Sequence, residues 1–497
     1  MATLGRIPGQ GRGQHPGHEL DVDIDEMSIE GDGVAHVGRQ TIYVPFTIPG
    51  ERVRVLVRGG PRPVAQATLL SVLRASPHRV DPKCRHFGLR SAGQSAGLKT
   101  RPTYERPTYE RPAYEGDTAA PPCGGCTWQH IAYPEQLRLK TALVDRLVRA
   151  RVPSAPAAHT MVAANRDEPW GFRQKVHFVF GEGDGRRGSR DLLMGHYARG
   201  SRGVVNVTEC PVHDPRGNAL AFSIHGHLTR ARIQADAGQG ASLQSIAVRV
   251  ARGTDEIMAT LVVSHEADKR LRTATRKAME TSPAGTAFHL NIHDRDDGFI
   301  FGERTRKLAG ADRLRDIVGG SSYLVSPTAF FQTNVAAAEL LVSHVLEAMP
   351  KAPARVLDLY AGAGLFAIPL ARAGHTVTAV ESNRQAVADG IASVRLNRLT
   401  EDQCRFVVAR TEDALASASR VDAVVLDPPR EGCGTGVIDR LFGHVRPPLV
   451  VYVSCNPEAL ALDLADIVSH GYRVQSLLPV DMFPHTAHIE TIAVLTR

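Results

Sequence analysis

Val356-Leu357-Asp358-Leu359-Tyr360-Ala361-Gly362-Ala363-Gly364 decides how the C-terminal part of this chain folds. An apolar run of strand length leads into two glycines, and a helix follows over 366–373. Glycines at 362 and 364 allow a tight turn and a close approach of backbone to a ligand at the helix N-terminus. A Gly-x-Gly alone also serves as a packing turn. Here a second strand over 376–380 ends in Glu381, and an acid at that point can accept both ribose hydroxyls of an adenosyl group. The pair points to a nucleoside-containing cofactor. Nicotinamide is the second choice, because Ala367 stands where the third glycine of a dinucleotide fingerprint belongs. From about residue 340 onward, strand, glycine turn and helix alternate, which is the rhythm of a parallel, doubly wound α/β sheet.

Further along, an apolar strand over 421–426 ends in Asp427-Pro428-Pro429-Arg430. Two prolines stiffen the backbone at the carboxyl edge of the sheet, where such folds bind ligands. Many amine methylases have a similar Asp-Pro-Pro followed by an aromatic residue that stacks on the target base. Arg430 in that place speaks against amine methylation. A strand over 449–453 then delivers Ser454-Cys455-Asn456-Pro457. A lone cysteine is ordinarily an inert buried thiol. At the end of a strand on the cofactor edge, Cys455 is instead placed as a nucleophile. C5 of uracil is a poor nucleophile until a thiolate adds to C6 and makes C5 enolate-like. A base must then take the C5 proton. Phe483-Pro484-His485-Thr486-Ala487-His488-Ile489-Glu490 offers Glu490 and two histidines for that task.

The rest of the chain is read in segments. Its 497 residues suffice for several domains, and 43% hydrophobic with 22% charged residues is ordinary for a globular protein. No run approaches a membrane span. Met1 to His18 lacks an apolar signal core, so no membrane association and a cytoplasmic location are expected. A formal charge of +7 favours an anionic partner such as RNA. Residues 1–18 read as a disordered basic arm, and 19–78 as a small β-barrel with Arg52, Arg54 and Arg58 facing outward. Those arginines read equally well as a solvated strand face or a phosphate-contacting one. Residues 79–320 read as a central α+β domain, with one helix over 133–151 followed by short β-type runs, and 321–497 as the cofactor domain. An insertion at 101–115 repeats Arg-Pro-Thr-Tyr-Glu; its regular prolines forbid helix or central strand, and no function is assigned to it. Seven scattered cysteines argue against a disulfide framework. Cys123-Gly-Gly-Cys126 has metal-ligand spacing that fits zinc, iron–sulfur or redox use.

Taken in order, Phe330-Phe331-Gln332-Thr333-Asn334, 358–364, 427–430, 454–457 and 485–490 resemble the RNA uridine-5-methyltransferase family of the TrmA/RumA type. The resemblance covers most of residues 20–497, the repeat excepted. It implies a Rossmann-like S-adenosylmethionine-dependent methyltransferase domain, an N-terminal barrel of the TRAM/OB-like RNA-binding kind, and a central α+β domain. It implies Cys455 as nucleophile, Glu490 as the base, and Gln332, Tyr360, Glu381 and Asp427 around S-adenosylmethionine, with Asn397 a weaker candidate. Leu365 replaces an asparagine of the family. Gly171-Phe172-Arg173-Gln174-Lys175 resembles its RNA-contacting segment, with Gln174 in place of asparagine. Members acting on ribosomal RNA hold a [4Fe–4S] cluster, which implies Cys84, Cys123, Cys126 and Cys210 as ligands despite the long gap from 84 to 123. The implied partner is RNA, ribosomal before transfer RNA, with no obligate protein partner and a monomer by default. Cytosine-5 methylation and a non-catalytic RNA-binding or folding module are the competing readings. Cys433, just past Arg430, reads as structural.

Overall fold

The computed structural model describes residues 17–58, 63–88, 122–183, 191–235, 243–265, 269–295, 298–416 and 421–497. The basic arm through residue 16 and the 101–115 repeat lie outside the described residues. The chain forms two compact units, one built on the barrel and one containing 133–497.

In the first unit six strands close the barrel in the order His18–Asp23, Arg52–Val57, Val64–Arg74, Gln40–Val44, Gly33–Val37, Glu26–Met27. The alternation in Arg52–Val57 puts Val53, Val55 and Val57 fully inside. Val64–Arg74 was not among the strands expected; its sequence, VAQATLLSVLR, alternates poorly and bulges where it pairs with Arg52–Val57. Residues 127–132 fold back on this unit. Trp128 is fully buried and donates its indole N–H to the Gly31 carbonyl at 2.9 Å. Glu51 is also fully buried; it takes two hydrogen bonds at 2.6 Å from Arg79 and one from the amide of Ile48. The outward arginines are already matched: Arg54 forks onto Asp21 at 2.7 and 3.1 Å, and Arg52 and Arg74 share Asp23. This face is charge-balanced, which favours the solvated-face reading over a phosphate track.

The second unit carries two seven-stranded sheets. In the central sheet the order is Arg304–Ala309, Ala287–Ile292, Ile257–Val263, Leu243–Val250, Lys175–Glu182, Leu192–Tyr197, Val204–Asn206. All neighbours are antiparallel except Ile257–Val263 with Ala287–Ile292, which the helix Lys269–Glu280 connects. Besides the helix Tyr133–Arg151, Pro215–Arg230 is also helical. The expectation of one helix here was therefore incomplete. Asp214 caps the second helix through the Arg216 amide, with proline in its first turn; that Asp-Pro signal was in the sequence.

The C-terminal sheet has the order Cys404–Val408, Thr376–Glu381, Arg355–Leu359, Ala423–Leu426, Leu449–Ser454, Glu490–Thr496, Arg473–Val480. The first five strands are parallel and the last two antiparallel to their neighbours. This is the doubly wound sheet expected, with an antiparallel hairpin added at one end. The helix Arg384–Leu396 lies directly on this sheet, because a Cβ on Gly390 would stand 2.3 Å from the Phe406 ring. Alanine at 390 would improve helix propensity by up to about 1 kcal/mol. The overlap with Phe406 costs more, so Gly390→Ala should destabilise by about 1–3 kcal/mol. Urea unfolding of the variant checks this; an unchanged or raised midpoint would refute it.

Candidate active site

The turn after Arg355–Leu359 is tight and strained in the way a ligand-facing loop is. Tyr360, Gly362 and Gly364 all have positive φ (61, 55 and 90°). Gly364 has no room for a side chain, since a Cβ would meet Phe406 at 2.7 Å. The Gly362 amide donates to Glu381 Oε2 at 3.0 Å, and the Asn383 amide to Oε1 at 2.7 Å. Glu381 thus ties the glycine turn to the second strand and keeps unused carboxylate lone pairs. A pocket of about 210 Å³ opens beside it, lined by Tyr360, Val380, Glu381, Ser382, Ala409, Arg410, Thr411 and Glu412. Tyr360 and Glu381 were foreseen. Arg410, Thr411 and Glu412 were not, although they follow the strand Cys404–Val408 on the same carboxyl edge. Gln332 and Asp427 do not line this pocket. Asn397 serves the fold: its Oδ1 accepts from the Ser322 amide and its Nδ2 donates to the Ser322 and Ser393 carbonyls.

Beneath the glycine turn Asp358 is fully buried, and its carboxylate makes no hydrogen bond of ordinary geometry, with only the Ala367 amide turned to it. Burial, then Asp427 and Glu381, hold its pKa well above the usual carboxylate range. The pocket of about 210 Å³, with the Glu381 carboxylate on its rim at the glycine turn, fits an adenosyl cofactor.

The nucleophile and base candidates meet through strand register. Leu449–Ser454 and Glu490–Thr496 run antiparallel, and their last pair is Ser454 with Thr491. One step beyond that pair stand Cys455 and Glu490. Burial pushes the Cys455 thiol up to about 11, and the charges of Glu490 and Asp427 push the same way while Arg430 opposes them. Glu490 is buried, and its pKa is raised well above normal by burial and Asp427. Asp427, with burial alone acting on it, is raised to about 7. Three acidic groups thus crowd one edge with Arg430 as their counter-charge. Asn456 fixes the spacing: Oδ1 caps the helix Pro457–Ser469 through the Glu458 amide, and Nδ2 donates to the Arg430 carbonyl at 3.0 Å. Cys433 is buried, its amide held by Asp463, which also takes the Tyr452 hydroxyl at 2.6 Å. That placement agrees with a structural cysteine.

Because Arg430 favours the thiolate, Arg430→Gln should raise the Cys455 pKa further. At any one pH the thiolate fraction then falls. Iodoacetamide alkylation of the Cys455 peptide, followed by mass spectrometry across alkaline pH, should show its midpoint displaced upward. An unmoved midpoint would remove Arg430 from the site.

Four other cysteines converge elsewhere in the same unit, while Cys404 is buried in the strand Cys404–Val408. Burial raises Cys210, and Cys126, Cys84 and Cys123 add to the rise, which places all four thiols within electrostatic reach. Cys123-Gly-Gly-Cys126 reaches them by laying its backbone on the strand end at 197–199: the Gly124 amide donates to the Tyr197 carbonyl at 2.9 Å, and a Cβ on Gly124 would collide there. Four soft sulfur donors suit an iron–sulfur cluster or zinc. His196, Cys210 and His213 also bring ligand atoms within 4.8 Å of one another. Among the described residues no helix is long and apolar enough to cross a membrane.

Residues 254–497 match the family model described as tRNA (uracil-5-)-methyltransferase, and residues 20–77 match the TRAM domain of tRNA (uracil(54)-C(5))-methyltransferase. An uncharacterized RNA methyltransferase of Thermosynechococcus vestitus is 32% identical over 97% of this chain and 98% of its own length. A second, from Gloeobacter violaceus, is 31% identical over 97% of both. Among solved structures, Pyrococcus abyssi tRNA (uracil-54, C5)-methyltransferase in complex with S-adenosyl-L-homocysteine superimposes with a TM-score of 0.71. It shares 23% identity over 96% of this chain and 100% of that one, a likeness of fold.

Proposed function

The chain belongs to the S-adenosylmethionine-dependent RNA uracil-5-methyltransferase family, and from that premise we propose that it methylates C5 of one uridine in 23S ribosomal RNA through a covalent Cys455–C6 adduct. The observation that carries the mechanism is the register that sets Cys455 and Glu490 side by side at one strand end. Cys455, as thiolate, adds to C6 of a uracil turned out of its stack, and the electron pair moves to the C4 oxygen. Tyr360 and Glu381 would hold S-adenosylmethionine, which when bound would supply a methyl group on a sulfonium. The enolate-like C5 takes that methyl as the sulfonium bond breaks to a neutral thioether. Glu490 then removes the C5 proton, the C5–C6 double bond re-forms, and the Cys455–C6 bond breaks to release thiolate. The raised basicity of Glu490 suits a carboxylate that must accept a proton from carbon.

Gln332 and Asp427 join the reading with different weight. The charge of Asp427 acts on both Cys455 and Glu490, which supports a place for it beside the reacting centre. Gln332 is buried, two residues before Asn334, which caps the helix Val335–Ala348 through the Ala337 amide. Cys84, Cys123, Cys126 and Cys210 would hold a [4Fe–4S] cluster, a tie between distant parts of the chain with no part in the methyl transfer. That cysteine set favours ribosomal RNA. Transfer RNA is the second reading, favoured by the descriptions of both matching family models. Nucleoside mass spectrometry of rRNA and tRNA from a deletion strain separates the two. Loss of 5-methyluridine at one 23S position is the expected result; loss from tRNA alone would move the target, and loss from neither would overturn the proposal.

A further inference from the structure

The loop that leads from Arg473–Val480 to Glu490 is held by a helix that plays no part in the chemistry. The two strands it joins pair at Val480 and Glu490, so residues 481–489 form an excursion whose return point is the base itself. His485, in the middle, has φ of 65°, a left-handed conformation that few residues with a Cβ adopt, although histidine does so more often than most. Four contacts impose it. The His485 amide donates to Gln136 Oε1 at 2.8 Å, and the Gln136 amide group meets the imidazole Nδ1 at 3.2 Å. The imidazole Nε2 meets the Pro169 carbonyl at 3.0 Å. Trp170 stacks flat on the ring, with centroids 3.8 Å apart and planes at 17°.

The bonding is self-consistent. A glutamine amide donates to Nδ1 only if Nδ1 is bare, and a carbonyl accepts from Nε2 only if Nε2 carries hydrogen. Both hold for one neutral tautomer. Burial of the ring also favours the neutral form, holding its pKa down at about 4. Gln136 is itself fully buried on the helix Tyr133–Arg151, so both of its polar ends are committed to His485 in a place that water does not reach. A buried strained residue with every polar atom matched is an over-determined arrangement, of the sort found where geometry matters to function.

We propose that Gln136 and Trp170 are positioning residues for the base: by fixing the left-handed turn at His485 they set the carboxylate of Glu490 against C5, and so govern the proton-abstraction step in particular. The proposal rests on the reading of Glu490 as the base. Gln136→Met keeps the volume of the side chain and removes both hydrogen bonds. His485→Asn keeps a residue that tolerates the left-handed region and removes the ring.

The reaction offers a readout that a general loss of structure would not mimic. If only proton removal is slowed, addition and methyl transfer proceed and the protein accumulates as a covalent complex with ordinary RNA. Full-length variants are given S-adenosylmethionine with ribosomal and transfer RNA from a deletion strain, and RNA-linked protein is scored on denaturing gels. Glu490→Gln serves as the reference and should accumulate the complex. Gln136→Met should turn over about 10²-fold more slowly while accumulating it as well. Its affinity for S-adenosylmethionine, and its trapping by 5-fluorouridine RNA, should stay within about threefold of wild type. If Gln136→Met does not fold, His485→Asn is read in the same way. Turnover within about threefold of wild type in a folded variant overturns the proposal, and so does slow turnover without accumulated complex. Absence of the complex in Glu490→Gln overturns the base assignment itself, an outcome visible in the reference before either positioning variant is read.

Discussion

Cys455→Ala is expected to lose methyl transfer by about 10⁴-fold or more, because the uncatalysed C5 position has no route to nucleophilicity without the thiolate. Incorporation of labelled methyl groups into RNA measures the loss. Trapping with 5-fluorouridine RNA supplies a second test: the wild type should form a covalent complex stable to denaturant, and the variant none. The fold should be unaffected, since the Cys455 side chain is only partly buried and caps no helix. A non-catalytic folding module would keep its effect on RNA in the variant. Residual methylation above about a hundredth of wild type would remove Cys455 from the nucleophile role.

The second large effect is on stability. Lys140 and Asp481 are both fully buried and bonded at 2.7 Å, with Lys140 also reaching the Phe483 carbonyl and the Tyr133 hydroxyl donating to the other oxygen of Asp481 at 2.7 Å. Removing one partner of such a pair leaves the other charged, buried and unmatched, which costs about 3–5 kcal/mol. Lys140→Met should therefore lower stability by that amount in denaturant unfolding. Replacing both, as Lys140→Met with Asp481→Leu, should recover a large part of it, because the desolvation penalty of both charges is then gone. A single variant as stable as wild type, or a double variant no better than the single, would contradict this account.

The cofactor half of the site was readable because it is local. A strand, two glycines and an acid one strand later lie close together in sequence, and the glycines at 362 and 364 announce the positive φ they adopt. Asp427 and Cys455 were readable one by one, each as a polar residue at the end of an apolar strand, and Glu490 as the acid in the stretch 483–490. What bound them was not readable. Asn456 reads as a plain helix cap, yet its amide holds the Arg430 carbonyl, a contact set by the packing of two loops. Gln136 sits in a helix far from the motifs and gives no local sign that it supports the turn at His485. The barrel arginines stayed undecided for the same reason. Alternation tells that Arg52 and Arg54 face outward, while only the pairing of His18–Asp23 with Arg52–Val57 reveals the aspartates opposite. Properties of single elements survive in sequence, and partnerships between distant elements do not.

The position of the last strand sets the order in which this catalytic centre can form. Glu490–Thr496 follows every other strand of its sheet along the chain, yet it lies inside the sheet, between Leu449–Ser454 and Arg473–Val480. A sheet that grew outward by one edge strand at a time would leave Arg473–Val480 occupying that place. The hairpin of the two strands, once closed, can instead dock as a unit along Leu449–Ser454. The short loop between them makes that closure the cheaper step. The proposed nucleophile therefore acquires its proposed base only when this strand has docked. Maturation of the enzyme and completion of its fold are then one event.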